Sequence, residues 1–279
     1  MWTNSETIRL PGNIFAILRD LIHETTGLHY DPDKADILAE KLSHRVLEHK
    51  FESFLDYYYL LKYGPDAEQE WPHVLNALSV QETYFWREDA QIEAFTREIL
   101  PRYITDHPFR PVDIWCAACA TGEEPLTIAI ALNEAGWFEK AQVRIVATDA
   151  STAAIAKAGQ GLYRDRSFRA LSAPLKEKYF RETERGWQVD PVLSSRVQFA
   201  CANLVAPETA RMYGCVPFIF CRNVFIYFSE ASVRRALDGF ARNMVRPGYL
   251  FVGASESLLR VTTDFELEAV GNAFAYSLK

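Results

Sequence analysis

The sequence predicts an α/β protein with a doubly wound, mostly parallel sheet, a small all-helical N-terminal domain and a small inserted β-subdomain. Helical periodicity fills about the first 75 residues, strand-like and helical runs alternate after about residue 109, and an interruption follows near residue 165. We therefore divide the chain into residues 1–75, a helical domain with its linker, and residues 76–279, with the β-subdomain at about 165–198.

The N-terminal part contains three helical patterns. The first places Ile14 and Leu18 at helical spacing and has Gly27 as its stop. The second has Asp33 as a candidate N-cap and runs through about His49. The third is the run FESFLDYYYLLKYG, and the segment GPDAEQEWP after it is predicted to be a turn or linker.

Strand-like runs then alternate with helical ones. The strand-like runs are PVDIW, VRIVATD, VQFACAN, VPFIFCRN and YLFVGA, and helical patterns cover residues 126–135, 152–159 and 232–245. Such alternation predicts a mostly parallel sheet with helices on both faces. The segment at residues 164–196 departs from it and predicts a helix followed by a small hairpin.

Composition excludes several classes of protein. The net charge is −7, so the chain lacks the strongly basic surface expected of a protein that binds nucleic acid. No apolar run reaches eighteen residues, so we expect no membrane insertion, and the N-terminus lacks the pattern of a signal peptide. Five cysteines, an odd number, favour reduced thiols and a cytoplasmic location.

The loop CAACATGEEP follows the first strand-like run and opens a helix. A dinucleotide loop in this place has three glycines, whereas this loop has one and adds Glu123 and Glu124. The two carboxylates would repel a pyrophosphate, which disfavours a nicotinamide-dependent dehydrogenase. They suit an α-amino group, ribose hydroxyls or a sulfonium, although for the pair taken alone simple compensation of the helix dipole is the better explanation.

Asp149 ends the next strand-like run, 27 residues beyond Gly122. An acid at this place can accept hydrogen bonds from both hydroxyls of a ribose, or it can cap the helical run that follows. Together with the acidic loop, it points to a nucleoside without phosphates. S-adenosylmethionine fits that description, because its ribose carries a sulfonium instead of a phosphate.

Further polar residues follow later strands. Asn203, Arg222 and Asn223 are placed to face the crevice beyond the carboxyl ends of the strands, where an Asn can pair with an adenine edge or simply cap its loop. Arg87 lies among aromatic residues in QETYFWRED. It is either a guanidinium held for a carboxylate or a stacked surface cation.

Two other groups have less specific interpretations. Cys116 and Cys119 form a C-x-x-C without a second pair, so small residues in a tight loop explain them better than a redox or metal site. Lys34, Lys41 and Arg45 lie on one flank of the second helical pattern. That flank is a solvated face or a docking surface for an acidic helix.

Several long stretches together resemble the chemotaxis receptor methyltransferase (CheR) family: QETYFWRED, IWCAACATGEEP, VATDAS, FIFCRNVFIYF and GYLFVGASESL, in the family's order. The resemblance covers nearly the whole chain. It implies a Rossmann-like methyltransferase fold, S-adenosylmethionine as cofactor with S-adenosylhomocysteine as product, and transfer to glutamate side chains on the cytoplasmic helical bundle of chemoreceptors. It also implies a receptor C-terminal tail peptide as a partner of the inserted β-subdomain.

The resemblance implies roles for individual residues. Arg87 and Tyr227 correspond to catalytic positions, Arg87 where the incoming carboxylate meets the cofactor. Asp149 matches the ribose-binding acid, and Asn203 with Leu204 matches the adenine side. No metal is implied. The cofactor-binding residues that the resemblance implies are Gln81, Thr83, Arg87, Glu124, Asp149, Asn203, Leu204, Arg222 and Asn223.

Other functions are compatible with the same motifs. One is a non-catalytic S-adenosylmethionine-binding scaffold or sensor, and another is a methyltransferase for a different protein or a small acid. The first is disfavoured by the substrate-side Arg87 and Tyr227, and the small acid is disfavoured by the helical N-terminal part, which suggests a protein surface as substrate.

Overall fold

The computed structural model describes residues 7–279. The expectation that no signal peptide is present concerns in part residues 1–6, which lie outside the described residues. Within the described range, no helix is long and apolar enough to cross a membrane.

Four helices form the N-terminal part, and they pack around a core that includes Leu18, Leu42 and Val74. The first ends where expected, with Gly27 in the left-handed region at a φ of 80°. The predicted N-cap Asp33 is wrong: it lies inside a 3₁₀ turn, Pro32–Lys34, and caps nothing. The helices are α1 (Gly12–Thr26), α2 (Ala35–Glu48), α3 (Phe54–Tyr63) and α4 (Ala67–Leu78).

The prediction of a linker at GPDAEQEWP is also wrong, because most of that segment belongs to α4. Pro72 in the second turn removes one main-chain hydrogen bond, but the burial of Val74 and Leu78 and a buried ion pair at Glu70 stabilise the helix. Tertiary packing therefore overrides the local turn signal of Gly, Pro and Asp.

A continuous helical segment connects the N-terminal part to the sheet. It consists of α5 (Asp89–Ala94), a π-helical stretch (Phe95–Ile99) and α6 (Leu100–Asp106). Phe95 contacts the rings of Phe218 and Phe220 in the sheet, at centroid distances of 5.0 Å and 5.3 Å. The segment therefore packs on one face of the sheet.

The predicted strands are present and form a seven-stranded sheet in the order β6-β2-β1-β7-β8-β10-β9. The first five in this order are parallel, and β10 is antiparallel to both its neighbours. The hairpin of the last two strands was not predicted. The strands of this sheet are β1 (Val112–Ala117), β2 (Val143–Asp149), β6 (Val197–Cys201), β7 (Phe218–Phe220), β8 (Tyr249–Phe251), β9 (Phe265–Val270) and β10 (Ala273–Leu278).

Both faces of the sheet are buried, as a parallel sheet requires. Phe218 and Phe220 of β7 face one cluster of core residues, and Ile219 between them faces the other, which contains Trp115 and Phe240. The remaining helices of the sheet domain are α7 (Glu123–Glu134), α8 (Trp137–Lys140), α9 (Thr152–Gln160), α11 (Pro191–Ser194), α12 (Pro207–Tyr213) and α13 (Glu230–Asn243).

The interruption after β2 contains the predicted helix and hairpin. They are α10 (Ala173–Tyr179), β4 (Phe180–Thr183) and β5 (Gly186–Val189), and a short strand not predicted, β3 (Leu162–Tyr163), completes a small sheet in the order β3-β5-β4. A 3₁₀ turn, Asp165–Phe168, leads from β3 into α10. We call the part from residue 165 to residue 198 the insertion.

Candidate active site

A cleft opens at the carboxyl ends of β1, β2, β6 and β7, where the strand order reverses on either side of β1. It holds about 1060 Å³ of open space, part of it continuous with solvent. Side chains from α1, α4 and the segment after α4 form the opposite wall. All ten residues predicted for the site line the cleft: Gln81, Thr83, Arg87, Glu124, Asp149, Asn203, Leu204, Arg222, Asn223 and Tyr227.

The loop after β1 is wound tightly under the cleft. Ala118, Ala120 and Gly122 all have positive φ, at 65°, 47° and 93°. A side chain at Gly122 would place its Cβ 2.9 Å from the Cβ of Ala158, so only glycine fits there. The winding turns the N–H of Ala120 toward Asp149, which the sequence pattern did not reveal.

Asp149 holds this loop and faces the cleft. Its Oδ2 accepts the N–H of Ala120 at 2.9 Å, and its Oδ1 accepts the N–H of Ser151 at 2.8 Å. Each carboxylate oxygen keeps a further lone pair for a ligand hydroxyl. The alternative of helix capping does not hold, because Ser151 is the N-cap of α9, with its hydroxyl accepting from Ala154.

A buried charge cluster forms the floor of the cleft. The side chain of Arg222 is only 3% exposed, with its guanidinium 3.6 Å from Glu124 and 3.4 Å from Glu88. Arg222 Nε has no hydrogen-bond partner in the described part of the chain. Burial raises the pKa of Glu124 to about 7. The nearby Arg222 opposes this shift, and the negative charge of Glu88 reinforces it. A positively charged ligand would therefore restore the charge on Glu124.

Glu88 and Glu256, two acids that sequence reasoning missed, hold the loop that follows β7. Asn223 has a φ of 58°, donates its side-chain amide to Glu88 at 3.2 Å and donates its N–H to Glu256 at 2.8 Å. Glu256 also accepts the N–H groups of Gly253 and Phe225, each at 2.7 Å. Glu88 and Glu256 stand inside quoted motifs, but only the fold brings them together.

Asn203 and Leu204 lie where β6 leads into α12. The amide of Asn203 donates to the carbonyl of Thr25 in α1 at 2.7 Å, and its Oδ1 accepts from Val205 at 3.2 Å. The amide therefore caps its loop and ties α1 to the sheet domain, while Leu204 lies buried beside it.

The segment of residues 81–89, which we call the junction segment, forms a further wall of the cleft. Gln81 turns toward α9, where it contacts Ser151 at 3.4 Å and Lys157 at 3.2 Å. Arg87 donates to the carbonyl of Glu82 at 2.9 Å, which fixes its guanidinium at the cleft wall. Its remaining N–H groups are available to a substrate carboxylate.

The N-terminal helices complete the cleft. Asn76 of α4, which sequence reasoning missed, accepts from the hydroxyl of Ser151 at 2.8 Å and from the N–H of Ala153 at 3.1 Å. The carbonyl of Tyr227 accepts the N–H of His29 at 2.8 Å. Helix α4 thus contacts the residues beside Asp149 directly, and the chain that follows α1 contacts Tyr227.

The basic flank of α2 is largely committed inside the protein. Lys41 donates to the carbonyl of Leu78 at 3.0 Å, and Arg45 pairs with Glu70 at 2.6 Å. Only Lys34 lies near the surface without a role in packing, beside Asp33. The prediction of this flank as a solvated or docking face is therefore wrong for Lys41 and Arg45.

Both cysteines of the C-x-x-C pair are buried. Burial raises the pKa of the Cys116 and Cys119 thiols well above the usual range, so the thiolate needed for redox exchange or metal binding is disfavoured. Between residues 7 and 279, no group of three His, Cys, Asp or Glu side chains is arranged to hold a metal ion.

Comparison with known proteins identifies the family. Residues 81–273 match the model of the CheR methyltransferase SAM-binding domain, and residues 13–79 match that of the CheR methyltransferase all-alpha domain. The chain belongs to the CheR methyltransferase family. The match confirms the resemblance and the Rossmann-like methyltransferase fold, and S-adenosylmethionine is the cofactor of this family member.

Individual relatives extend over most of the chain. The chemotaxis protein methyltransferase 2 of Vibrio cholerae is 32% identical over 94% of this chain and 91% of its own length. The chemotaxis protein methyltransferase 2 of Pseudomonas aeruginosa is 33% identical over 89% of this chain and 88% of its own. The probable biofilm formation methyltransferase WspC of Pseudomonas putida is 28% identical over 91% of this chain and 59% of its own.

Proposed function

We propose that this CheR-family methyltransferase transfers the methyl group of S-adenosylmethionine to glutamate side chains on the cytoplasmic helical bundle of chemoreceptors. One observation carries the proposal: Arg87 and the acids Glu124 and Asp149 line the same cleft. The guanidinium suits an incoming carboxylate, whereas the acids suit a cationic nucleoside. Relatives named as chemotaxis methyltransferases support the choice of receptor.

The residues fit the cofactor. Asp149 has two free lone pairs for the ribose hydroxyls, and Glu124 has a raised pKa that a positive charge would lower. Asn203 and Leu204 would line the adenine side, and Thr83 the methionine end. Gln81, Arg222 and Asn223 would hold the loops of the pocket in place. Bound S-adenosylmethionine supplies an electrophilic methyl group on its sulfonium.

The chain's own residues have a simple task in this reaction. A glutamate with a pKa of about 4.3 is already ionised at neutral pH, so no general base is needed. No histidine of the described residues lines the cleft. Arg87 would orient the substrate carboxylate, and Tyr227 would wall the transfer site. Such alignment alone can be worth on the order of 7–11 kcal/mol.

Methylation of a panel of receptor cytoplasmic fragments, with mass-spectrometric mapping of the modified residues, tests the proposal. We expect modified glutamates with the wild type and a loss of about a hundredfold in kcat/KM with Arg87→Ala. Arg97→Ala, which changes an exposed arginine paired with Glu93, serves as the matched control. Wild-type methylation by a folded Arg87→Ala variant would remove Arg87 from the proposed role.

We further propose that the insertion binds a receptor C-terminal tail peptide. Its sheet has β4 as an edge strand, and the side chains of Arg181 and Glu182 there are exposed. An edge strand offers free N–H and C=O groups to an extended peptide. Titration of tail peptides from the same receptor panel checks this, and the absence of any binding would exclude it.

The reaction is proposed to take place in the cytoplasm, in keeping with five unpaired cysteines. One relative, the probable biofilm formation methyltransferase WspC, favours a second candidate pathway. The same chemistry would then act on a receptor of a pathway for biofilm formation. Including such receptor fragments in the panel separates the two outputs.

A further inference from the structure

The insertion holds the junction segment from one side through its core. The N–H of Phe85 donates to the carbonyl of Ser167 at 2.9 Å. The fully buried ring of Phe85 lies 5.2 Å from that of Phe168 and 4.9 Å from that of Phe180, measured between centroids. Phe85 is therefore part of the aromatic core of the insertion, two residues before Arg87.

A second contact from the insertion reaches the exposed side of the junction segment. Arg169 donates to the carboxylate of Glu82 at 2.7 Å, and its guanidinium carbon lies 3.8 Å from the centre of the Tyr84 ring. An arginine can make both contacts at once, because its guanidinium is planar and presents donors at its edge while its face stacks on a ring.

Arg87 uses the same two partners. Its Nη1 donates to the carbonyl of Glu82 at 2.9 Å, and its guanidinium carbon lies 5.7 Å from the centre of the Tyr84 ring. Glu82 and Tyr84 line the cofactor cleft, whereas Arg169 lines a neighbouring cleft between the junction segment and the insertion. The two arginines are thus linked through residues that both of them contact.

We propose that Arg169 is a positioning residue for Arg87. By holding Glu82 and Tyr84, it fixes the place of the Arg87 guanidinium without touching the cofactor or the substrate carboxylate itself. The inference rests on the proposed function, which assigns the substrate carboxylate to Arg87. It gives the insertion a part in the methyl transfer in addition to any peptide that it binds.

The test combines kinetics with a double-mutant cycle. We expect Arg169→Met to lower kcat for a receptor fragment about two- to fivefold, with unchanged KM and unchanged affinity for S-adenosylhomocysteine. Arg169→Lys, which keeps the charge but not the planar stack, should recover part of the loss.

The double variant Arg169→Met with Glu82→Gln should lower kcat no more than the more harmful of the two single substitutions does, because both substitutions break the same contact. Arg196→Met, an exposed arginine of the same insertion that stacks on Phe138 and lines neither cleft, should behave as wild type.

Hydrogen exchange gives a readout that needs no substrate. Peptides covering residues 81–89 should exchange faster in Arg169→Met than in wild type or Arg196→Met. A raised KM with unchanged kcat, or additive effects in the cycle, would mean that Arg169 contacts the substrate protein instead and would overturn the inference. If the wild type transfers no methyl group, the proposed function fails, and unchanged exchange at residues 81–89 would then overturn the positioning contact by itself.

Discussion

Glu124 shows how burial prepares one residue for a charged ligand. Its side chain is 15% exposed, and burial raises its pKa to about 7 despite Arg222 nearby. Because the folded-state pKa lies above the unfolded value of 4.5, the contribution of Glu124 to stability is complete below pH 4.5 and is lost as the pH rises through about 7. A cation at this place would reverse that loss.

Cofactor binding should therefore release a proton from Glu124. A ligand that carries a positive charge favours the carboxylate, so below pH 7 binding must expel the proton, and affinity should rise with pH by up to about tenfold per unit until pH 7. Calorimetric titration with S-adenosylmethionine, which carries the sulfonium charge, in two buffers of different ionisation enthalpy counts the protons released. Glu124→Gln should bind more weakly at pH 8 and release none. Equal proton release by this variant would contradict the assignment.

A separate prediction for a single residue concerns Asp149 and its affinity for the ribose of the cofactor. Asp149→Asn replaces a charged acceptor by an amide, and one charge-assisted hydrogen bond is worth about 1.5–3 kcal/mol. We expect the affinity for S-adenosylhomocysteine to fall about ten- to a hundredfold, measured by calorimetry. Asp113→Asn changes an acid of β1 that pairs with Arg144 outside the cleft, so its affinity should equal that of the wild type. Weakened binding by both variants alike would contradict a specific role.

The sequence alone predicted the residues of the cleft better than their contacts. Residues at strand ends could be placed at one edge, because parallel strands bring their carboxyl ends together. Glu88, Glu256 and Asn76 were missed, since each contacts the site through elements that are distant in sequence. Left-handed alanines at 118 and 120 carry no compositional signal either.

At the scale of elements, helix α4 shows why a local turn signal failed. Glu70 is 3% exposed and accepts hydrogen bonds from Arg45, His49 and Tyr57. Burial alone would raise its pKa, but these partners together outweigh burial and lower the pKa to about 2. The helix forms because α2 and α3 offer these partners, and no reading of GPDAEQEWP by itself contains them. The hairpin of β9 and β10 was missed for a different reason, because the two-residue turn Gly271-Asn272 between its strands is a local hairpin signal that was not used.

Breaking this cluster should destabilise the protein. Glu70→Gln leaves Arg45 buried with a weaker partner, so we expect a loss of about 3 kcal/mol in the free energy of unfolding, measured by denaturant titration at pH 7. Since folding lowers the pKa of Glu70, the larger free energy of unfolding of the wild type is present above pH 4.5 and is lost as the pH falls toward 2. Glu68→Gln, on the exposed face of the same helix, should change little. Equal stability of both variants would exclude the cluster as a source of stability.

At the scale of the whole molecule, the N-terminal helices and the sheet build one cleft between them. Asn76 holds Ser151, Asn203 holds the end of α1, and His29 binds the carbonyl of Tyr227. The division of the chain near residue 75 stays a prediction. The contacts indicate that cofactor binding and helix docking depend on each other.

Asn76→Ala should therefore weaken the cofactor site from the helical side. Its loss frees Ser151, which fixes one oxygen of Asp149, so we expect a several-fold lower affinity for S-adenosylhomocysteine and a smaller thermal shift on binding. Gln69→Ala, exposed on the same helix, is the control. Unchanged affinity in Asn76→Ala would show that the two parts bind the cofactor independently.

The most direct test of the central claim is the chemical nature of the transferred group. S-adenosylmethionine labelled in its methyl group is incubated with the protein and receptor cytoplasmic fragments, and the labelled fragments are then treated with mild base. If the product is a methyl ester of glutamate, base releases the label as methanol, and Arg87→Ala forms this base-labile label about a hundredfold more slowly. Base-stable label, or none on any fragment with protein that binds S-adenosylhomocysteine, would contradict glutamate methylation at this cleft.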